Sequence, residues 1–411
     1  MNENRRSNRG KNKVVKIILW VLLVAFIGVG AYLAKAYYDV ENTASKIYNK
    51  VSVDNKREEE VDVAEATHPI SFLLLGVDTG TAEETRTEQG RSDTVMVCTI
   101  NPNTRTTTLL SIPRDTYASI IGYEDSYDYE GDYYDKINHA YAFGGTEMSI
   151  NSVQNFLDIP IDYYVEVNFD GLVDVVDAIG GIEITSPLTF DFYGPQFIEG
   201  ETRVLTGYEA LQFSRMRKQD PEGDLGRQKR QQMVIKAILD KVLSMGSLVN
   251  YKDLLKSVED NVQTNVSLDE IISIAGGYRN SLENFDQEYL TGSEVYIDEI
   301  YYYYVDPEER LRISNLFRKQ LELSAITLEE LETSTSEPYF NPAVYPELYQ
   351  MDSTDEYDTS TYDKTTDYDT QTSTLSEDYY EESYTSDEIY QEDNGYVEES
   401  VYDESYLDSS Y

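Results

Sequence analysis

The chain contains 411 residues, enough for one large domain or two smaller ones, and 40% of them are hydrophobic, so a sizeable core is expected. Its formal net charge of -44 at pH 7 argues against a nucleic-acid partner, because the phosphate backbone would be repelled. The single cysteine, Cys98, excludes an internal disulfide framework. It lies in an apolar strand pattern, which favours a small buried hydrophobic residue over a reactive nucleophile.

The N-terminal region has the pattern of a membrane anchor. Residues 1–16 form a basic segment, and the uncharged run within residues 17–35 is about long enough to cross a bilayer as a helix. The basic flank predicts a single-pass protein of the cell membrane with a cytoplasmic N-terminus and an extracellular remainder. A cleaved signal peptide is the alternative, but the run is long and shows no clear cleavage site. Residues 36–67 are polar and predict a linker or stalk.

The folded domain is predicted over residues 68–325 and begins with strands. The apolar run Ser71–Asp78 predicts a buried strand that ends in a carboxylate. Two further strands, Asp93–Ile100 and Thr106–Ile112, are joined by the sequence NPNTR, which favours a β-hairpin with Ile100 pairing near Thr106.

This hairpin would bring charged residues together at one end. Arg91 and Asp93, at the start of the first strand, are expected beside Arg114 and Asp115, which follow the second strand. Ordinary arginine–carboxylate pairing at a sheet edge is one explanation of the pattern. A second arginine cluster elsewhere in the chain weakens that explanation and favours a functional site.

A tyrosine- and aspartate-rich excursion, Tyr117–Asp135, predicts an exposed loop. His139 follows it within the sequence KINHAYAFGG. Histidine is the usual acid–base residue, so a role in proton transfer is conceivable. A structural hydrogen bond is the favoured interpretation, because the sequence shows no partner for the ring.

The rest of the domain alternates between helices and strands, which predicts one large α/β domain with a mixed central sheet flanked by helices. Helices are predicted at Thr146–Leu157, Gly171–Ile179, Leu205–Phe213, Leu268–Tyr278 and Pro307–Leu323. Strands are predicted at Tyr163–Asn168, Gly181–Thr185 and Val295–Val305. Residues 333–411 form an acidic tail rich in Tyr, Ser and Thr, whose like charges and low hydrophobicity predict disorder.

The stretch Phe213–Gln232 concentrates positive charge in an otherwise acidic chain. Its basic residues are Arg215, Arg217, Lys218, Arg227, Lys229 and Arg230. An extended backbone over Leu211–Arg217 would place Arg215 and Arg217 on one face, because side chains alternate along a strand. A helix is predicted from Gly226, with Asp224 as its N-cap.

Polar residues occupy the N-terminal positions of the helix face that is otherwise apolar. Counting back in steps of four from Ile235 gives Gln231 and then Arg227. A buried guanidinium is costly unless it is paired, and an anion at the helix N-terminus, where backbone N–H groups also point, would pair it. The pattern therefore predicts a phosphate or pyrophosphate site.

Six segments of the sequence carry a family resemblance: LLLGVD, RSDTVMVCTINP, TLLSIPRDTY, KINHAYAFGG, IPIDYYVEVNFDGLVDVVDAIGGIEI and RMRKQDPEGDLGRQKRQQ. Together they resemble the LytR-CpsA-Psr family of cell-wall glycopolymer ligases, in family order over roughly residues 68–323. The resemblance implies a membrane-anchored transferase of Gram-positive bacteria with Mg2+ as cofactor. Such an enzyme attaches an anionic glycopolymer (wall teichoic acid, capsule or another secondary wall polysaccharide) from an undecaprenyl-pyrophosphate carrier to peptidoglycan through a phosphodiester bond.

The resemblance also implies roles for individual residues. The pyrophosphate-binding set is Arg91, Arg114, Arg215, Arg217, Arg227, Gln231 and Lys136. The metal-binding candidates are Asp93, Asp78 and Asp224, and the catalytic set is Asp78, Asp93, Arg91 and Arg114. Asp78 is expected to act as the base for a sugar C6 hydroxyl and Asp93 as the metal ligand, with the reverse division also open. Apolar residues of Val165–Ile179 and Val234–Val242 are candidates for a prenyl channel or for ordinary core packing.

Two other functions are open at this point. A lipid-pyrophosphate phosphatase would use the same site with water as the nucleophile. A non-enzymatic regulator of the cell envelope is suggested by the family's historical description as transcriptional attenuators, although an extracellular domain cannot meet DNA. The loops Asp78–Arg91 and Tyr117–Asp135 depart from the family pattern in length and composition, which leaves the acceptor preference open.

Overall fold

The computed structural model describes residues 38, 41–53, 56–57, 61–78, 90–123, 133–244, 254–297 and 299–334. The predicted transmembrane run and residues 335–411 of the predicted acidic tail lie outside the described residues. Within the described part of the chain, no helix is long and apolar enough to span a bilayer. The chain divides into two compact units, of which the first, Met1–Phe190 with Phe197–Ser353, contains the elements of the candidate site. In the second unit, the described residues 191–196 form a turn in which the Phe192 N–H donates to the Pro195 carbonyl.

The strands and helices alternate as the sequence predicts. The strands are β1 (Ile70–Asp78), β2 (Arg91–Asn101), β3 (Thr106–Ile112), β4 (Tyr117–Ser119), β5 (Tyr134–Lys136), β6 (Tyr163–Asn168), β7 (Ile182–Thr185), β8 (Phe190–Asp191), β9 (Gln196–Phe197), β10 (Thr202–Leu205), β11 (Val262–Thr264), β12 (Asn284–Tyr289), β13 (Ser293–Ile297) and β14 (Ile300–Tyr304). The helices are α1 (His139–Leu157), α2 (Phe169–Ala178), α3 (Gly207–Arg215), α4 (Asp224–Ser244), α5 (Leu268–Gly277), α6 (Pro307–Gln320) and α7 (Leu328–Ser334). A short 3-10 helix covers Arg279–Glu283.

The central sheet has six strands in the order β11-β6-β1-β2-β3-β12. β1 runs antiparallel to β2 and parallel to β6, and β3 runs parallel to β12, so the sheet is mixed. The two-stranded pairs β4-β5, β7-β10, β8-β9 and β13-β14 complete the pairings of the described strands. The predicted fold class, a mixed sheet flanked by helices, is confirmed.

The alternation of side chains along the central strands divides the core into two layers. On β1, Leu73 and Leu75 belong to a cluster that also contains Phe156 of α1 and Phe317 of α6. On the opposite face, residues such as Met96 and Cys98 of β2 pack with Tyr278 and the partly buried Ile235 of α4. Cys98 is buried, as predicted, and burial raises the pKa of its thiol to about 12, so the thiolate nucleophile is suppressed.

Three elements differ from the sequence predictions. The segment Val295–Val305 contains the β13-β14 hairpin rather than one strand, because Ile297 pairs with Ile300 and Glu299 between them has φ 69°. The excursion Tyr117–Asp135 is anchored at both ends by the antiparallel β4-β5 pair, so these ends do not form an exposed loop. Helix α1 begins at His139 instead of Thr146, and the predicted start coincides with a break at Gly144–Gly145, where Gly145 has φ 63°.

Residues 41–57, predicted as part of a linker, pack on the domain where the structure describes them. Ala44 and Ile47 are buried with Leu255 and Leu268. The backbone N–H of Asn49 donates to Thr264 at 2.7 Å, which adds to the edge of the central sheet. The segment therefore approaches the domain as an ordered arm rather than a free tether.

The arm is held at its C-terminal end by Arg57. Its guanidinium donates to both carboxylate oxygens of Asp162, at 2.7 and 3.0 Å. Asp162 also accepts from the backbone N–H and the hydroxyl of Ser71, each at 2.9 Å. Bidentate pairing of this kind is strong because it joins charge to fixed geometry.

We expect Asp162→Ala to destabilise the protein by about 3 kcal/mol, because it leaves a largely buried guanidinium and the Ser71 N–H unpaired. Chemical denaturation monitored by circular dichroism measures the free energy of unfolding. The control is Asp260→Ala, an exposed carboxylate, whose loss should change stability by less than about 0.5 kcal/mol. Equal stability of the two variants would show that the arm is not held through Asp162.

Candidate active site

The first part of the candidate site lies where β1 ends and β2 begins. Asp78 and Arg91 are opposite each other in the register of these strands, and an irregularity follows between Gly76 and Val77. Gly76 pairs with Thr94 and Val77 pairs with Ser92, so Asp93 has no partner in β1. This is the arrangement of a β-bulge, in which the extra residue changes the direction of a side chain. Asp78 is buried, whereas Arg91 is exposed.

Arg114 joins this corner from the end of β3. Its Nη1 donates to the Oδ1 of Asp93 at 2.9 Å, so the predicted approach of the two hairpin ends is confirmed. Ile100 pairs with Thr107, next to Thr106, as the predicted hairpin requires. Burial opposes the charge of Arg114, but Asp93 and Asp115 raise its pKa above the ordinary value, so its guanidinium remains charged.

Lys136 and Asp115 extend the charged cluster. The Lys136 Nζ lies 3.0 Å from the Asp115 carboxylate, which also lies 3.6 Å from Arg114. Lys136 reaches this position because β4 and β5 return the chain to the end of β3, where the Ile137 N–H donates to the Thr116 carbonyl. The structure thus places Lys136 in contact with the cluster through Asp115.

Arg215 and Arg217 leave the end of a helix rather than an extended segment. Helix α3 begins with a capping box between Thr206 and Glu209, and it continues through Arg215. The prediction that an extended Leu211–Arg217 would align the two arginines is therefore wrong. Arg215 instead lies over the Phe169 ring, with 5.0 Å between its Cζ and the ring centroid, at the start of α2.

Arg230 has a structural role in the loop between α3 and α4. Its side chain is completely buried and donates from Nε to the Phe213 carbonyl at 3.0 Å. It also donates to the Met216 carbonyl and pairs with the buried Asp220 carboxylate. The Arg230 guanidinium therefore fixes the path of the loop, and Lys229 pairs at the surface with Glu222.

Helix α4 begins at Asp224, two residues before the predicted start, so Asp224 is the first helical residue and not an N-cap. Its Oδ1 lies 2.5 Å from Nη2 of Arg227 and 3.9 Å from Nε of Arg217. Its Oδ2 accepts from Gln228 at 2.8 Å. Burial favours protonation of Asp224, but Arg227 and Gln228 outweigh it and hold the carboxyl pKa below its usual value.

Arg227 is the central cation of the site. It is only 8% exposed, and in the described part of the chain its Nε has no hydrogen-bond partner. Burial lowers the pKa of Arg227 against the attraction of Asp224, and the nearby charges of Arg114 and Arg217 lower it further. These mutual effects show that the β-hairpin arginine and the helix arginine share one site. Gln231, one turn further along α4, is half-buried.

The carboxylates of the site suit a hard cation that is also held by a phosphorylated ligand. Asp93 is about one third exposed, with side-chain accessibility of 33%. Mg2+ is commonly bound by one or two carboxylates together with substrate phosphates. Within the described residues, no group of three or more His, Cys, Asp and Glu side chains could hold a metal ion. Asp224 is the weakest candidate ligand, because both of its oxygens already face donors.

His139 has a partner that the sequence did not reveal. Its Nδ1 lies 2.6 Å from the Asp135 carboxylate, which supports the structural interpretation of this histidine. The sequence also gave no indication that the β13-β14 hairpin borders the site. The Tyr303 N–H donates to the Asp115 carbonyl at 2.8 Å, and the Tyr301 ring lies 5.9 Å from Lys136 Nζ.

The site thus combines carboxylates with guanidinium groups, whose forked donors match the oxygens of phosphate and carboxylate groups. The chain belongs to the LytR_cpsA_psr family, whose profile matches residues 34–319. It is 42% identical to an Enterococcus faecalis protein named polyisoprenyl-teichoic acid–peptidoglycan teichoic acid transferase TagU, over 76% of this chain and 99% of that protein.

Solved structures agree with this family assignment. The crystal structure of Bacillus subtilis TagU is 40% identical and has a TM-score of 0.50, covering 63% of this chain and all (100%) of that one. A structure of TagT bound to LIIa-WTA is 31% identical and has a TM-score of 0.55, covering 67% of this chain and 100% of that one.

The packing of Gly226 against Asp220 gives a test of the loop that carries the site. A Cβ at Gly226 would collide with the Asp220 carboxylate, which Arg230 prevents from moving away. We expect Gly226→Ala to destabilise the protein by about 2 kcal/mol in thermal unfolding, because it overpacks a buried ion pair. It should also weaken binding of inorganic pyrophosphate, measured by calorimetry.

The matched control is Gly276→Ala. Gly276 is also helical, in α5, but a Cβ there meets no atom within 4 Å. Alanine should therefore be neutral or stabilise the helix by about 1 kcal/mol. If both alanine variants have the stability of the unmodified protein, Asp220 is not held against Gly226.

Proposed function

We propose that this protein is a membrane-anchored transferase that attaches an anionic glycopolymer, carried on undecaprenyl pyrophosphate, to peptidoglycan through a phosphodiester bond. Wall teichoic acid is the favoured polymer, because the E. faecalis relative is named as a teichoic acid transferase. The catalytic domain would lie outside the cell, held by the predicted helix within residues 17–35. Family membership and this degree of identity support an enzyme of the glycopolymer–peptidoglycan ligase type.

The observation that carries the proposal is the buried Arg227 guanidinium with its unpartnered Nε. An unsatisfied buried donor on a charged group is costly, so such groups are found where a ligand completes the hydrogen bonds. The positive charges of Arg114 and Arg217 lie close enough to Arg227 to lower its pKa. Two adjacent phosphate groups would meet this demand, because guanidinium forks bind phosphate oxygens in pairs.

The remaining cations surround this point at different depths. Arg91 lies at the start of β2, opposite Asp78 at the end of β1. Lys136 forms an ion pair with Asp115, and Arg215 lies over the Phe169 ring. Charge at the leaving lipid phosphate increases as its bond to the transferred phosphorus breaks. Fixed guanidinium groups stabilise that charge without reorganisation, which is the usual source of a large rate effect.

The aspartates divide between two roles in this proposal. The Oδ1 of Asp93 accepts from Arg114, which leaves its other oxygen for Mg2+. When bound, Mg2+ neutralises charge on phosphate oxygens. Asp78, at the buried end of β1, is assigned to take the proton from the attacking sugar hydroxyl. Asp78 holds this proton while the new sugar O–P bond forms and the P–O bond to the lipid phosphate breaks, and it passes the proton to solvent after the lipid phosphate departs.

The prenyl chain is assigned to the side of the site that contains Phe169. Helices α2 and α4 both pack against α3, and each carries apolar side chains that are only partly buried. These include Leu172, Val173 and Val175 of α2, and Met233, Ile238 and Leu239 of α4. A partly buried apolar surface beside a cationic cluster suits an amphiphile with a pyrophosphate head.

We expect Arg227→Lys to lower the rate of polymer transfer by about 100-fold or more, because lysine keeps the charge but cannot form a forked pair with phosphate. The assay incubates the full-length protein in detergent with a lipid-linked donor and a peptidoglycan oligosaccharide. Mass spectrometry then measures the phosphodiester-linked conjugate.

The control for this variant is Arg105→Lys. Arg105 is exposed and lies 3.6 Å from Glu283, so its replacement should leave the transfer rate unchanged. Release of free phosphorylated glycan without any conjugate would contradict the ligase proposal and establish a hydrolase. Full transfer by Arg227→Lys would show that this guanidinium does not bind the donor.

A further inference from the structure

The β13-β14 hairpin presents two different faces. Cross-strand pairing places Tyr296 opposite Tyr301 and Glu294 opposite Tyr303. Val295, Tyr302 and Tyr304 lie on the inner face, where they form a buried cluster. The outer face is aromatic and partly open, since Tyr296 is 44% exposed.

The outer face is directly attached to the charged site. The Tyr303 N–H donates to the carbonyl of Asp115, whose carboxylate holds Lys136. The Tyr301 ring lies 5.9 Å from the Lys136 Nζ. Burial raises the pKa of Tyr301, and the charges of Glu294, Asp115 and Asp224 raise it further, so this phenol stays protonated beside the site.

The two rings form an open corner. Tyr296 and Tyr301 meet edge to face, with centroids 5.7 Å apart and an interplanar angle of 69°. An exposed aromatic group of this kind beside a polar site marks an interaction surface rather than part of a core.

We propose that this corner, the Tyr296–Tyr301 face, is the subsite for an uncharged N-acetylhexosamine ring of the peptidoglycan acceptor. The C–H groups on one face of a pyranose pack against an aromatic ring, and the tyrosine hydroxyls can form hydrogen bonds with the polar groups at the edge of the sugar. A prenyl chain would gain nothing from those hydroxyls. The inference rests on the proposed transfer reaction, because it supplies the acceptor for that site.

The negative charge around the Tyr296–Tyr301 face favours the uncharged acceptor sugar over the anionic donor polymer as its occupant. Glu294 lies on the same face as the two rings, and Glu299 is exposed at the tip of the hairpin. An anionic glycopolymer would be repelled by these carboxylates, whereas an uncharged sugar ring would not. The position beside Lys136 and Asp115 also leaves the Phe169 side of the site for the lipid.

The test measures binding of chitobiose, the neutral disaccharide of N-acetylglucosamine, to the full-length protein by saturation-transfer NMR. Tyr296→Ala should weaken this binding about 5-fold, the effect of losing one aromatic contact. Tyr301→Phe keeps the ring and should retain most of the affinity. The control Tyr48→Ala removes another exposed tyrosine, 41% accessible and remote in sequence, and should have no effect.

A second measurement separates this subsite from the donor site. Geranyl pyrophosphate should bind the unmodified protein and Tyr296→Ala equally well. Chitobiose that fails to bind, or that binds Tyr296→Ala as tightly as the unmodified protein, would overturn the sugar subsite. Weaker binding of an anionic glycerol-phosphate oligomer alone in Tyr296→Ala would overturn the choice of occupant. If geranyl pyrophosphate does not bind the unmodified protein, the proposed donor site fails, and the chitobiose result still decides the sugar subsite.

Discussion

The buried pair of Arg230 and Asp220 is the interaction on which the site depends. A fully buried guanidinium is tolerated because the Asp220 carboxylate and the carbonyls of Phe213 and Met216 accept its hydrogen bonds. Phe213 and Met216 lie at the C-terminal end of α3 and Asp220 lies within the connection, whereas Arg230 belongs to α4. The same contacts therefore set where α3 ends and where α4 starts, and they direct Arg217 and Arg227 toward the ends of β2 and β3. The candidate phosphate-binding cations are thus positioned by Arg230, whose guanidinium is occupied by acceptors of the protein.

The sequence predicts the sheet better than it predicts the roles of its arginines. Short continuous apolar runs located β1, β2, β3 and β6 closely, because strands that are buried on both faces demand that composition. Arg227 and Arg230 look alike in the sequence, yet among the described residues the Arg227 Nε has no hydrogen-bond partner, whereas Arg230 binds the Phe213 carbonyl and the Asp220 carboxylate. Only the path of the loop distinguishes them. Similarly, Gln231 is half-buried, whereas its neighbour Gln232 enters the core and donates to Ser111 at 2.8 Å.

Other features escaped prediction because their signals are not local. Residues 41–57 have the polar composition of a tether, and their few anchoring residues, such as Ile47 and Arg57, become recognisable only beside partners far along the chain. The β13-β14 hairpin has no turn motif of Asn and Gly, and its run of tyrosines reads as one strand. The importance of this hairpin comes from its contact with Asp115, which no sequence pattern indicates.

The ordered arm and the asymmetric site together suggest how transfer is directed. The site has an apolar side around Phe169, a central set of guanidinium groups around Arg227, and an aromatic side at Tyr301. The proposed donor is apolar only at its prenyl end, so it would enter with the prenyl chain toward Phe169 and its phosphates at Arg227, leaving the Tyr301 side to the acceptor. Because Arg57 holds the arm to the domain, the membrane anchor proposed within residues 17–35 would restrict the domain's orientation at the bilayer. In that orientation the Phe169 side of the site would face the membrane that holds the lipid, and the Tyr301 side would face the cell wall.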